Sequence, residues 1–140
     1  MKRTELLRRV LADCYCQLQP SPIHGIGVFA VCDIPKAKNP FRTLKKYATP
    51  GSVQVTDEEL ALLPPKLAAL IRALFVPTTA GILYIPTCGL NVIYLDTYIN
   101  HSPHPNLQTK DGVRFITVRR IREGEELTVD YRTYGARIFC

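Results

Sequence analysis

Nowhere in this 140-residue sequence do five basic residues follow one another, although Lys and Arg outnumber Asp and Glu by 18 to 12. The excess, a formal net charge of +6, is scattered. It falls on Lys2, Arg3, Arg8 and Arg9, on Lys36, Lys38, Arg42, Lys45 and Lys46, and on Arg119, Arg120 and Arg122. A basic tail that grips nucleic acid by charge alone is therefore excluded, and the interleaved aromatics of a nucleic-acid module are missing too. Direct nucleic-acid binding is not expected; the balance suits an acidic or nucleic-acid-associated partner, or an ordinary solvated surface. The five cysteines lack the even count of a disulfide framework. No signal peptide precedes them, because Arg8 and Arg9 interrupt the apolar stretch that would follow Met1-Lys2-Arg3. An intracellular protein with reduced thiols is expected. Cys14-x-Cys16 supplies too few ligands for a structural zinc site, which takes about four. Even with Cys140 the set is short, and no metal is expected.

Residues 73–95 lack any charge and are long enough to cross a bilayer. They also contain Pro77, Pro86, Gly81, Gly89, Asn91 and three threonines, a poor content for a spanning helix. Short buried strands and turns fit them better, and no membrane association is expected. No internal repeat is visible. With 46% hydrophobic and 21% charged residues, one domain with a real core is expected over 1–140.

The chain reads as short elements. Thr4 caps a helix within 1–14 whose apolar side is Leu6, Leu7, Val10 and Leu11. Tyr15 to Leu18 is a strand, stopped by Pro20 and Pro22. Ile23-His24-Gly25-Ile26-Gly27-Val28-Phe29-Ala30-Val31 opens on two glycines and continues as a strand. A dinucleotide fingerprint would need a third glycine and a following helix, and both are absent. Residues 36–56 are basic and irregular. Thr56-Asp57-Glu58-Glu59 is a capping box that starts a short helix. Pro64-Pro65 breaks it, and a second helix over Lys66 to Phe75 presents Leu67, Leu70, Ile71 and Leu74. Ile82 to Ile85 is a strand. Leu107 to Val118 is a hairpin about the Asp111-Gly112 turn, and Leu127 to Tyr131 is the last strand. A compact, mostly β, α+β fold follows.

Between these strands, Tyr98-Ile99-Asn100-His101-Ser102-Pro103-His104-Pro105-Asn106 places two histidines, two asparagines and two prolines in nine residues. Prolines at this density forbid a regular helix. The stretch is a rigid polar loop, where binding groups tend to be held. Asn106 is accounted for as a turn former that satisfies local backbone groups. Asn100-His101, straight after apolar Tyr98-Ile99, is not. A metal site on His101-x-x-His104 is disfavoured, because Pro103 prevents a shared helical face.

Three segments now stand in order: His24-Gly25-Ile26-Gly27-Val28-Phe29-Ala30, then Ile99-Asn100-His101-Ser102-x-x-Pro105-Asn106, then Gly124-Glu125-Glu126-Leu127-Thr128-Val129-Asp130-Tyr131. Together they resemble the SET-domain family of protein-lysine methyltransferases, over nearly the whole chain. The resemblance implies a β-clip-like fold of short strands in small sheets, a variable insert over 36–90 with its helices, a C-terminal pseudoknot, and a short tail over 132–140. It implies S-adenosylmethionine as cofactor and a lysine in a protein or peptide as methyl acceptor, histones or other basic proteins included. His24, Gly25, Ile26 and Gly27 would lie along the cofactor, the glycines because they have no Cβ. Asn100 would hold its amino acid end, an amide having both donor and acceptor. The backbone at His101 would read the adenine edge. Tyr131 would be the catalytic tyrosine, in touch with the cofactor. Tyr84, Tyr98 and Val129 would line the lysine channel, while Glu125 and Glu126 hold a turn.

The sequence departs from the family at three places. Thr97 stands where many relatives carry an Arg. The cysteine-rich zinc tail that closes the channel in many relatives is reduced to Cys140, so Phe139 (against the cofactor), Tyr134 or a second subunit of a homodimer would close it. Val129 is smaller than the Phe or Tyr often found two before the catalytic tyrosine, leaving room for more than one methyl. A SET fold without effective turnover, used as a peptide- or partner-binding module, is the competing reading. Location would follow the host: nucleus in a eukaryote, cytoplasm in a bacterium.

Overall fold

The computed structural model describes residues 2–5, 7, 14–41, 51–87, 90, 95–110, 112 and 114–136. Residues 3–5 and 7 have helical backbone, and the rest of the helix expected within 1–14 lies outside the described residues. Among the described residues eight short strands follow: β1 (Cys16–Pro20), β2 (Ile26–Ala30), β3 (Ser52–Val55), β4 (Leu83–Pro86), β5 (Asn100–His101), β6 (Leu107–Gln108), β7 (Ile116–Thr117) and β8 (Glu126–Val129). Two helices, α1 (Asp57–Leu60) and α2 (Pro65–Leu74), stand between β3 and β4, and 3-10 turns occupy Leu95–Tyr98 and Tyr131–Ala136. Among the described residues no helix is long and apolar enough to cross a membrane.

The main sheet has the order β1-β2-β8-β5. β1 and β2 form an antiparallel hairpin with Cys16 opposite Ala30 and Pro20 opposite Ile26. β1 is an edge strand, where Pro20 removes no needed ladder bond. β8 is antiparallel to β2, with Val28 opposite Leu127, and parallel to β5, with Asn100 opposite Thr128 and His101 opposite Val129. A strand enclosed on both sides reads as a continuous buried run, and Leu127, Thr128 and Val129 are all buried. Val28, Ile34, Ile99, Phe115, Ile121 and Leu127 fill the core around it. An isolated bridge between Ile34 and Ile121, closed by mutual N–H to carbonyl bonds of 2.8 and 2.9 Å, fixes the chain leaving β2.

A second cluster of Leu60, Ile71 and Leu83 lies under the insert. The capping box forms as the sequence predicts: the Glu59 N–H donates to the Thr56 hydroxyl and the Thr56 N–H to the Glu59 carboxylate, each at 3.2 Å. Other expectations need correction. The stretch 36–56 ends in a strand, since Ser52–Val55 pairs with β4; the polar–apolar alternation of Ser-Val-Gln-Val is only four residues long and is mostly exposed. In α2 the buried residues are Ala68 and Ile71, while Leu67 and Leu70 are exposed. The packed face is centred one residue further round, on the small Ala68. The β6–β7 hairpin is not closed by a two-residue turn, because Gln108 pairs with Ile116 and seven residues separate them. The Gly112 N–H is taken by the Thr109 hydroxyl at 2.9 Å, and Asp111 lies outside the described residues.

Cys16 packs against the main core. Burial first, and then the neighbouring Cys32 and Cys14, push its thiol up to about 12. Alkylation requires the thiolate, so at pH 8 Cys16 should react about a thousandfold more slowly than a free cysteine of pKa about 8.5. Peptide mapping after timed iodoacetamide treatment of the folded protein checks this, and labelling of Cys16 at the free-thiol rate would refute its burial.

Candidate active site

The loop between β1 and β2 is built by its own backbone. The Ser21 N–H donates to the Gly25 carbonyl at 2.8 Å, and the Ser21 hydroxyl accepts from the Ile23 N–H at 3.0 Å. Closing this turn takes Gly25 to φ +46, where a side chain is strained. The turn presents the carbonyls of His24 and Ile26 to β5. The Asn100 amide nitrogen donates toward both, at 3.0 and 3.2 Å, and toward Glu126 Oε1 at 2.8 Å. One NH₂ group with two hydrogens therefore faces three acceptors. Asn100 is only 6% exposed, and its Oδ1 accepts no hydrogen bond among the described residues.

Glu126 is a site residue that the sequence reading placed only in a turn. Its carboxylate accepts from the Ser21 hydroxyl at 2.8 and 2.9 Å as well as from Asn100. It also occupies the space over Gly27. A Cβ built there would overlap Glu126 Oε1, lie 2.9 Å from its carboxyl carbon and 3.0 Å from the Ser21 Cβ. Gly27→Ala should therefore drive the carboxylate off Asn100 and Ser21, with a stability loss of about 1–3 kcal/mol. Urea unfolding measures it, and a loss below about 0.5 kcal/mol would show that the carboxylate yields freely.

Asn106 was expected to serve local backbone groups. Instead it reaches β8: its Nδ2 donates to the Glu126 carbonyl and its Oδ1 accepts from the Thr128 N–H, each at 2.8 Å. The loop after β5 is thereby fastened to the strand that carries the site, on either side of Leu127.

Tyr131 follows β8 directly, as the first residue of a 3-10 turn and not as a strand end. Its N–H donates to His101 Nδ1 at 3.1 Å, and its hydroxyl donates to the Ile99 carbonyl at 2.6 Å. The two rings lie 5.3 Å apart. In that contact Nδ1 is the acceptor. Burial, and then the nearby Glu126 charge, raise the phenol above its usual value of about 10, so the hydroxyl stays protonated at neutral pH. Next to it Arg132 grips Asp130 in a two-pronged pair, with Nε at 2.9 Å from Oδ1 and Nη2 at 2.6 Å from Oδ2. These hydrogen bonds hold the Asp130 carboxyl at about 2.

The predicted residues thus divide into groups. His24, Ile26, Gly27, Asn100, His101 and Tyr131 are linked through Asn100, Glu126 and Ile99. Tyr98 packs against the core just before Ile99. Val129 lies opposite His101 and is fully buried. Tyr84 stands on the β3–β4 ribbon, a sheet separate from the one carrying Asn100. Phe139 lies outside the described residues. Ser21, Asn106 and Glu126 complete the site. Their sequence signals are slight: a serine between two prolines, an asparagine after one, and an acid starting an apolar strand.

Residues 25–132 match the SET domain family. The chain belongs to the SET-domain family and has its fold, a mostly β arrangement of small sheets with few helices. Among solved structures, a candidate histone methyltransferase of Plasmodium falciparum is similar at 17% identity and a TM-score of 0.48, over 84% of this chain and 92% of that one. No curated protein matches the chain.

Proposed function

We propose that the protein is an S-adenosylmethionine-dependent protein-lysine methyltransferase. The observation that carries this reading is the neutral Tyr131 hydroxyl, at 2.6 Å from the Ile99 carbonyl, one residue from a buried amide whose oxygen accepts no hydrogen bond among the described residues. The residues fit the cofactor. Asn100 Oδ1 and the carbonyls of His24 and Ile26 are acceptors for an α-ammonium group, and nothing lies within 4 Å of where a Gly25 Cβ would be. The cofactor, when bound, supplies a methyl group activated by a sulfonium.

The chain's own residues do the rest. A lysine amine, with a pKa of about 10.4 in water, attacks only after it loses a proton, and an apolar channel favours that loss by desolvating the ammonium. The Tyr131 hydroxyl and the Ile99 carbonyl together offer a polar edge that orients the incoming amine. Their contribution is alignment and electrostatics, not proton abstraction by a strong base. The knot-like passage of the C-terminal segment belongs to this reading; the parallel pairing of β5 with β8 supports it.

The substrate class proposed is a basic protein such as a histone. Arg119, Arg120 and Arg132 are already paired with Glu125, Asp33 and Asp130, so the surface is less available to an anion than net charge suggests. Incubation with labelled S-adenosylmethionine and mixed histones or lysate tests the reading. Transfer by the wild type and its loss in Tyr131→Phe are expected. Cofactor binding without labelling of any protein would instead favour the partner-binding module.

A further inference from the structure

Glu126 is the acid of this site whose charge is unexplained. Its carboxylate is half-buried beside Gly27. Among the described residues no Lys or Arg forms an ion pair with it, whereas Asp33, Asp57, Glu125 and Asp130 each have one. Its two partners, Ser21 and Asn100, are neutral. A carboxylate held only by neutral donors can still take a charge-assisted hydrogen bond from a cationic ligand. Filling the space over Gly27 and holding the Ser21 hydroxyl would need only a neutral side chain of the same shape.

The charge points the same way as the geometry. The Glu126 carboxylate and the carbonyls of His24 and Ile26 converge on the single Asn100 nitrogen. Two amide hydrogens cannot satisfy three acceptors, so one acceptor is in surplus at any moment. The adjacent Asn100 Oδ1 also accepts no hydrogen bond among the described residues. A primary ammonium brings three hydrogens and one positive charge, which matches the surplus acceptor, this Oδ1 and the unbalanced carboxylate together.

We propose that Glu126 is an ionic ligand for the α-ammonium of the cofactor's amino acid end, working with Asn100 and the two carbonyls. This deepens the methyltransferase reading and rests on it. Glu126 is then a specificity residue: it selects the amino acid end of the cofactor over the bare nucleoside.

The test measures calorimetric affinity for two ligands, S-adenosylhomocysteine and 5′-methylthioadenosine, which lacks the amino acid end. Glu126→Gln keeps the shape and removes the charge. It should weaken S-adenosylhomocysteine by about ten- to hundredfold and leave methylthioadenosine within about twofold. Glu126→Asp keeps the charge on a shorter arm and should retain more S-adenosylhomocysteine affinity than Glu126→Gln. Unchanged S-adenosylhomocysteine affinity in Glu126→Gln overturns the proposal, as does a parallel loss of both ligands, which would mean that Glu126 only holds the β1–β2 loop. If the wild type binds neither nucleoside, the cofactor reading falls and this proposal falls with it.

Discussion

Tyr131→Phe should lower the rate of methyl transfer by about a hundredfold or more while cofactor affinity stays within a few-fold. Loss of one preorganised polar group at a reacting centre costs about that much. The substitution removes the hydroxyl that donates to Ile99 but keeps the ring against His101 and the backbone bond to Nδ1. Stability should fall by only about 1 kcal/mol, the net worth of one hydrogen bond. Single-turnover rates with binding measured separately resolve the two, and an equal fall in rate and affinity would reduce Tyr131 to a structural role. The phenol's direction of shift adds a pH expectation. Its folded-state pKa is raised, so its share of stability is full below about pH 10 and is lost as pH rises through the raised value. Between pH 8 and 9 the rate should therefore show no decline from Tyr131 ionisation.

Asn106→Ala should be the most destabilising single change in the loop, at about 2–5 kcal/mol. Asn106 and Thr128 are buried, so truncation leaves the Thr128 N–H and the Glu126 carbonyl without partners, each costing about 1–3 kcal/mol. Domains of this size have about 5–15 kcal/mol in total, so the substitution removes a large share of the stability. The urea midpoint should drop with the slope unchanged, because the surface exposed on unfolding is the same. A loss below about 1 kcal/mol would mean that water replaces the amide. Methyl transfer should weaken beyond the stability loss, since the same strand carries Glu126 and leads to Tyr131.

Local chemistry was readable where one or two residues decide it. The Thr56 capping box acts within a few positions and took the form that the sequence predicts, whereas the first helix stops at Leu60, before Pro64, and Pro65 opens the second helix at its first position. The order of the three motifs was enough to indicate the family. What could not be read was which polar side chain reaches across the sheet. Asn106 looked self-sufficient because Pro-His-Pro-Asn is turn chemistry, yet its partners lie 20 and 22 positions on. Glu126 looked like half of an acidic turn beside Glu125. Glu125 does serve the surface, pairing with Arg119 at 2.8 Å, while the next residue points inward, since successive strand residues face opposite sides. Pairing across the sheet also set the strand ends. β8 stops at Val129 because β5, only two residues long, offers nothing further to pair with.

The position of β8 between β2 and β5 also dictates when the site can come into being. Ser21 and Glu126 are 105 residues apart, and the β1–β2 hairpin leaves the ribosome long before its partner strand is made. At about 5–20 residues per second, the β2 edge waits several seconds with its outer row of amides and carbonyls unpaired, an invitation to wrong strand pairing. The two acceptors that meet at Asn100 belong to that early hairpin. The groups that meet at Asn100 can therefore be brought together only after β8 has been made and has paired between β2 and β5.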